Sequence, residues 1–169
     1  KADVNDGVIT YNGWVRQYDG ILRPEYAGAK GDGVTDDTAA FKTVNSFGFY
    51  AVLRNTTTSL YFKDNTYVIE LSANAKYVVK GKNILGSPLA TNTTETHRPV
   101  GFTIIGNGAS ILFDPQSEFD NLFNIDAFIN YPKITDATIY PRRTDATLPS
   151  SVGVIFALNS GYNGKSGAN

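Results

Sequence analysis

Beyond Phe49 the apolar residues fall in brief runs: Val52-Leu53, Leu60–Phe62, Tyr67–Ile69, Tyr77–Val79, Ile84-Leu85, Phe102–Ile105, Ile111–Phe113, Leu122-Phe123, Phe128-Ile129, Ala137–Tyr140 and Val152–Leu158. Nearly all are bounded by Gly, Asn, Asp or Pro, the pattern of short strands joined by tight turns. The runs lack the spacing of regular hairpins. They predict stacked parallel strands, with Ile104, Ile111, Phe123, Ile129 and Ile139 facing a common core.

One stretch has the period of a helix instead. Ala40, Phe41, Val44 and Phe47 line one face at helical spacing and predict a helix over 36–47. Thr35 or Asp36 is placed to accept the free N–H groups of its first turn. Asp36 and Asp37 also suit the positive end of the helix dipole. Gly48 follows as a C-terminal stop. Before this helix, residues 1–24 hold short apolar pieces cut by Asp6-Gly7, Asn12-Gly13 and Asp19-Gly20, which are strong turn signals. They read as a hairpin-like or extended arm ending at Pro24, ahead of the main segment 25–169.

An internal echo links two of the strands. Gly101–Gly106 is answered by Ile134–Tyr140, each alternating apolar residues with Thr. Such weak self-similarity is expected of a solenoid, in which each repeat is one coil. An ordinary β-sandwich with irregular loops fits the periodicity as well.

Composition narrows the function classes. At 169 residues and 41% hydrophobic, the chain suits one packed domain or part of one. Its net charge of -1 argues against a general nucleic-acid or anionic-membrane binder. No apolar run approaches the ~18 residues of a membrane span. The absence of cysteine excludes disulfides, thiol catalysis and thiolate metal sites. The absence of methionine is expected of a processed product or a piece of a longer protein.

The stretch YAGAKGDGVTDDTAAF, Tyr26–Phe41, is the densest candidate for chemistry. It fails as a phosphate loop, because Lys30 lies inside the glycine run and no Ser or Thr follows it. Asp36 and Asp37 fail as a carboxylate pair, because neighbours on a helix point about 100° apart; capping accounts for both. His97 is the single histidine and has no evident partner, so it reads as a surface loop residue, and no metal or cofactor is expected. Asp114, Glu118 and Asp120 are spaced so that a loop can present two carboxylates to a glycosidic bond, although acidic residues are also common in solvated turns. Arg142 and Arg143 suit an acidic sugar, or a solvated turn. Asn55 and Asn92 each open a glycosylation sequon, a weak pattern.

Tyr26–Phe41 closely resembles the entry motif of the pectate-lyase-like superfamily, in the form found in bacteriophage tailspikes and polygalacturonase-like enzymes. Leu60–Ile69 and Gly101–Phe113 look like its next landmarks. The resemblance implies an all-β fold, a right-handed parallel β-helix, with a short α-helix capping its first coil. Lys30 and Asp32 are then expected to hold the entry loop by local bonds. The resemblance further implies the N-terminal part of a phage tailspike that binds, and cleaves, a bacterial surface polysaccharide. The alternatives are a secreted pectin-degrading enzyme and a non-enzymatic connector of a tail fibre. Expected partners are the polysaccharide, other virion tail proteins and two further copies in a homotrimer, in which Trp14, Tyr50 or Tyr131 would be covered. Neither nucleic acid nor membrane insertion is expected, and the location implied is the extracellular virion tail. Catalytic carboxylates of such proteins lie on later coils or between subunits, so the resemblance assigns none to this chain and places an active site beyond Asn169.

Overall fold

The structure is a computed structural model that describes residues 6–53, 66–88, 100–117, 120–125, 132–142 and 154–158. Asn12 and Gly13 adopt φ of 48° and 81°. Consecutive positive φ values form the tight turn that matches strand twist. Strands β1 (Thr10–Tyr11) and β2 (Trp14–Val15) accordingly make a hairpin, the single antiparallel pairing among the described strands. The carboxylate of Asp6 fixes its base by accepting the N–H groups of Val8, Ile9 and Thr10.

Strand β3 (Ile21–Leu22) joins the main sheet, so the arm is tied to the body of the molecule. A 3₁₀ turn at Pro24–Ala27 leads to β4 (Asp32–Asp36) and the helix α1 (Thr38–Leu53). Then come β5 (Thr66–Glu70), β6 (Lys76–Lys80), β7 (Leu85–Gly86), β8 (Gly101–Asp114), β9 (Asn121–Ile125), β10 (Lys133–Pro141) and β11 (Val154–Leu158). The long strand β8 organises the sheet. Its first half pairs with β5, its second half with β6, and its opposite edge with β10. The outer strands β3 and β4 pair with β5 and β6. Strands β7, β9 and β11 form a separate parallel sheet.

This architecture is mixed α/β: a curled, mostly parallel sheet forming a half-barrel, with one helix packed on it. It corrects the all-β right-handed parallel β-helix expected from the sequence. Two features carry the difference. The helix is longer than a short cap and packs against β5, β6, β7 and the 3₁₀ turn. Strand β8 continues through Gly106-Asn107-Gly108, where separate brief strands were expected. Short apolar runs mark where strands lie, but they do not specify how a sheet closes.

The parallel direction expected of the strands is present, but in a curled sheet and not in stacked coils. Ile104, Ile111 and Phe123 are fully buried, Ile139 packs against the core, and Ile129 lies outside the described residues. The echo matches the register only at its start: Ile134 and Thr135 lie opposite Ile104 and Ile105, whereas Ala137–Tyr140 lie opposite Ala109–Leu112, so that Ile139 faces Ile111. Between these pairs Asp136 bulges at φ 52°, and a Cβ on Gly106 would lie 2.1 Å from its carbonyl oxygen. Glycine at 106 allows this approach. Aromatic side chains run through the core, with Tyr67 stacked on Phe102 at 5.9 Å and Phe102 on Phe123 at 6.0 Å.

Gly48 does not stop α1; it lies buried inside the helix. A Cβ there would sit 2.5 Å from Cδ2 of Tyr67 and 2.8 Å from Cδ1 of Leu22. The glycine therefore sets how closely the helix approaches the sheet. In an exposed helix, Gly→Ala stabilises by up to ~1 kcal/mol. Here the sign reverses, and Gly48→Ala is expected to cost about 1–3 kcal/mol through overpacking. Urea unfolding of the variant measures this, and a gain in stability would refute the close approach. Among the described residues no helix is long and apolar enough to cross a membrane.

Candidate functional site

The entry motif is largely committed to internal bonds. The Asp32 carboxylate accepts the N–H groups of Val34 and Thr35 and the hydroxyl of Thr35. This local loop closure is the role expected for Asp32. Asp36 accepts the N–H and hydroxyl of Thr38 at the start of α1. Asp37 behaves differently. Its backbone N–H donates to Val78 O on β6, and its carbonyl accepts from Phe41 N–H. Its buried carboxylate turns back to accept Lys30 N–H at 2.7 Å and Gly31 N–H at 3.1 Å. Lys30 thus holds the loop through its backbone. The two neighbouring aspartates serve different partners: Asp36 ends β4 and Asp37 precedes α1, so neither stands on the helix expected from residue 36.

Their electrostatics differ accordingly. Burial raises the Asp37 carboxyl above its ordinary value, against the lowering effect of its two N–H donors. The N–H and hydroxyl of Thr35, with Val34 N–H, hold Asp32 down to about 2. A depressed carboxylate contributes stability above its unfolded value of 3.8, and this contribution is lost as pH falls toward about 2. Asp32→Asn is therefore expected to lower the melting temperature at neutral pH and to converge with the parent chain between about pH 4 and 2. A melting-temperature gap that persists at pH 2 would show that Asp32 acts otherwise.

Among the described residues, the remaining sequence candidates do not assemble into one site. Asp114 and Asp120 are both buried. Asp120 accepts the N–H groups of Gln116 and Ser117 and the Ser117 hydroxyl, which closes a turn. Glu118, Arg143, His97, Asn55 and Asn92 lie outside the described residues. Arg142 is half-buried and donates from Nη1 to Gly33 O at 3.1 Å, which ties β10 to the entry motif. Among the described residues no group of three His, Asp or Glu side chains is placed to hold a metal ion.

The structure brings together a polar cluster that sequence reasoning did not single out. Arg23 makes two bonds to Oε2 of Glu70, at 2.9 Å from Nε and 2.7 Å from Nη2. It also pairs with Asp19 at 3.0 Å and donates to the Tyr26 hydroxyl. The Arg16 guanidinium lies 4.1 Å above the Tyr26 ring. Beside them, the Tyr77 hydroxyl and the Ser72 hydroxyl both donate to Oε1 of Glu25. Burial pushes the Tyr77 phenol up to about 12. The Tyr77 ring is itself fully buried, so the cluster locks the 3₁₀ turn onto the ends of β5 and β6 and does not present a catalytic group.

No protein-family model, curated protein or solved structure matches the chain. Two open clefts lie along α1. One, of about 600 Å³, is lined by Asp6, Lys42, Thr43, Ser46, Phe47, Tyr50 and Ala51. The other, of about 350 Å³, adds Asn45, Lys82, Asn83 and Pro88, and shares Lys42 and Ser46 with the first. Both volumes lie in the range of small-ligand sites. None of the clefts' lysines or hydroxyls was singled out by sequence, because α1 reads there as an ordinary solvated face.

Proposed function

We propose that the chain is the N-terminal part of a bacteriophage tailspike, a receptor-binding protein of the virion tail. In this reading it recognises a bacterial surface polysaccharide, capsule or lipopolysaccharide, and the parent protein depolymerises it. The single observation behind the reading is the sixteen-residue entry motif with the part it plays. Its glycines and aspartates are spent on folding the chain into α1 and onto β6, a structural role that leaves cleavage to residues elsewhere in the parent. The function rests on the resemblance of that motif and does not depend on how the sheet closes.

Assembly belongs to the same proposal. Tyr11, Trp14 and Val15 are exposed together on the hairpin, Trp14 to 81%. An exposed apolar patch marks an interaction surface. In a homotrimer a neighbouring copy covers Trp14, and other tail proteins contact the same end. Tyr50, on α1, is half-buried, and Tyr131 lies outside the described residues.

Two measurements test the proposal. Light scattering on the parent protein is expected to give three copies, and a clean monomer would refute the assembly. A reducing-end assay with a panel of bacterial capsules and lipopolysaccharides is expected to show turnover by the parent and background by residues 1–169. A parent that neither binds nor cleaves any of them removes the tailspike reading and favours a connector.

A further inference from the structure

We infer that the groove along the outer face of α1 binds a carboxylated oligosaccharide, with Lys42 and Lys82 as its cation pair. The inference rests on the polysaccharide reading above and adds the location of a binding site and the chemistry of the sugar.

Three observations carry it. First, two open clefts lie side by side along α1 and share Lys42 and Ser46 in their linings, an arrangement that suits a linear ligand. Second, the lysines lining it form no ion pair among the described residues. The described ion pairs are Arg23 with Asp19 and Glu70, and Lys80 with Asp36; neither Lys42 nor Lys82 takes part in one. The one carboxylate lining the groove, Asp6, is engaged by the backbone N–H groups of Val8, Ile9 and Thr10. In a chain of net charge -1, two such lysines at adjoining clefts give local complementarity to an anion.

Third, the lining is amphipathic. Phe47 and Tyr50 supply apolar ring surface on the wall, and Ser46 supplies a hydroxyl. A sugar ring has the same division, with C–H faces that rest on aromatic rings and hydroxyls that accept and donate hydrogen bonds. A carboxylate on that ring gives the lysine ammonium groups a charged acceptor. One residue lining the second cleft is fixed by internal bonds. Asn45 is held by Gly86 and Tyr67, so the helix face presenting Lys42 and Ser46 does not need to form on binding.

The test uses a hyaluronan oligosaccharide and its carboxyl-reduced form, titrated calorimetrically into the chain. The acid form is expected to bind, and the reduced form to bind roughly tenfold more weakly or not at all. A double variant, Lys42→Ala with Lys82→Ala, is expected to lose about tenfold in affinity while its circular dichroism is unchanged. Affinity for the acid form is also expected to fall with added salt. Equal binding of both forms, no binding of either, or an unaffected double variant overturns the inference. The two readings fail separately. If the parent binds a bacterial capsule equally well with and without both lysines, the groove is wrong and the tailspike proposal stands. If the parent binds no polysaccharide while the chain binds hyaluronan through these lysines, the tailspike proposal is wrong and the groove stands.

Discussion

Replacing Asn45 with alanine is expected to destabilise the chain by about 3–5 kcal/mol, because one side chain satisfies three buried polar groups. Asn45 Nδ2 donates to Gly86 O at 2.9 Å, and its Oδ1 accepts both Gly86 N–H at 3.0 Å and the Tyr67 hydroxyl at 2.6 Å. The amide thus completes both backbone bonds of one residue in β7 from within a helix. Truncation orphans all three, and each buried unsatisfied group costs ~1–3 kcal/mol. The effects share a network, so the sum falls below three independent losses. Asn45→Asp is a sharper variant. Its carboxylate keeps an acceptor for Gly86 N–H and Tyr67, but it sets a second oxygen against Gly86 O and buries a charge. Denaturant unfolding of both variants measures this. A loss under about 1 kcal/mol for Asn45→Ala would show that water or relaxation replaces the amide.

Asn45 also marks where sequence reading stopped short. It lies on the same helix face as Phe41 and Phe49, four residues from each. A polar residue on an apolar stripe is the signal that could have been read, since buried polar groups need partners. What no pattern supplies is the partner, because Gly86 comes from a distant strand. The same limit explains Gly48, where local chemistry reads as a helix stop and a contact with Tyr67 and Leu22 decides otherwise. Arg23, Glu70 and Asn107 were silent for the same reason. Their bonds join residues far apart in the chain.

What sequence does carry is local or periodic. The hairpin turn at Asn12-Gly13, the existence of α1 and the parallel direction of β8 and β10 were legible from spacing and turn chemistry. Closure of the sheet does not. Each strand's pattern states which face is apolar, and both a coiled stack and a curled half-barrel satisfy that statement. The long β8, which bends across β5 and β6, decides between them, and its continuity depends on Asn107 and Gly108 at positive φ. By composition these residues read as a turn.

The second large effect is expected at Phe41. Its side chain is fully buried and meets Tyr77 edge to face, with ring centroids 5.2 Å apart. This contact fastens the first turn of α1 to β6, next to the Asp37–Val78 backbone bond. Phe41→Ala removes the ring and leaves a cavity beneath the helix, for a cost of about 3–5 kcal/mol. Phe41→Asp forfeits the same burial and adds an uncompensated charge, which takes the cost toward the whole stability of a small domain, ~5–15 kcal/mol. Phe47 provides the internal control. Sequence period places it on the same apolar face, yet it is half-buried and turned to the outer groove, while Phe49 is fully buried in the core. Phe47→Ala is therefore expected to cost only ~1 kcal/mol, in proportion to its smaller burial. Thermal unfolding of the three variants gives the order directly. Equal losses for Phe41→Ala and Phe47→Ala would mean that α1 is rotated about its axis relative to the face described, and an unchanged melting temperature for Phe41→Asp would mean that the helix does not pack on the sheet.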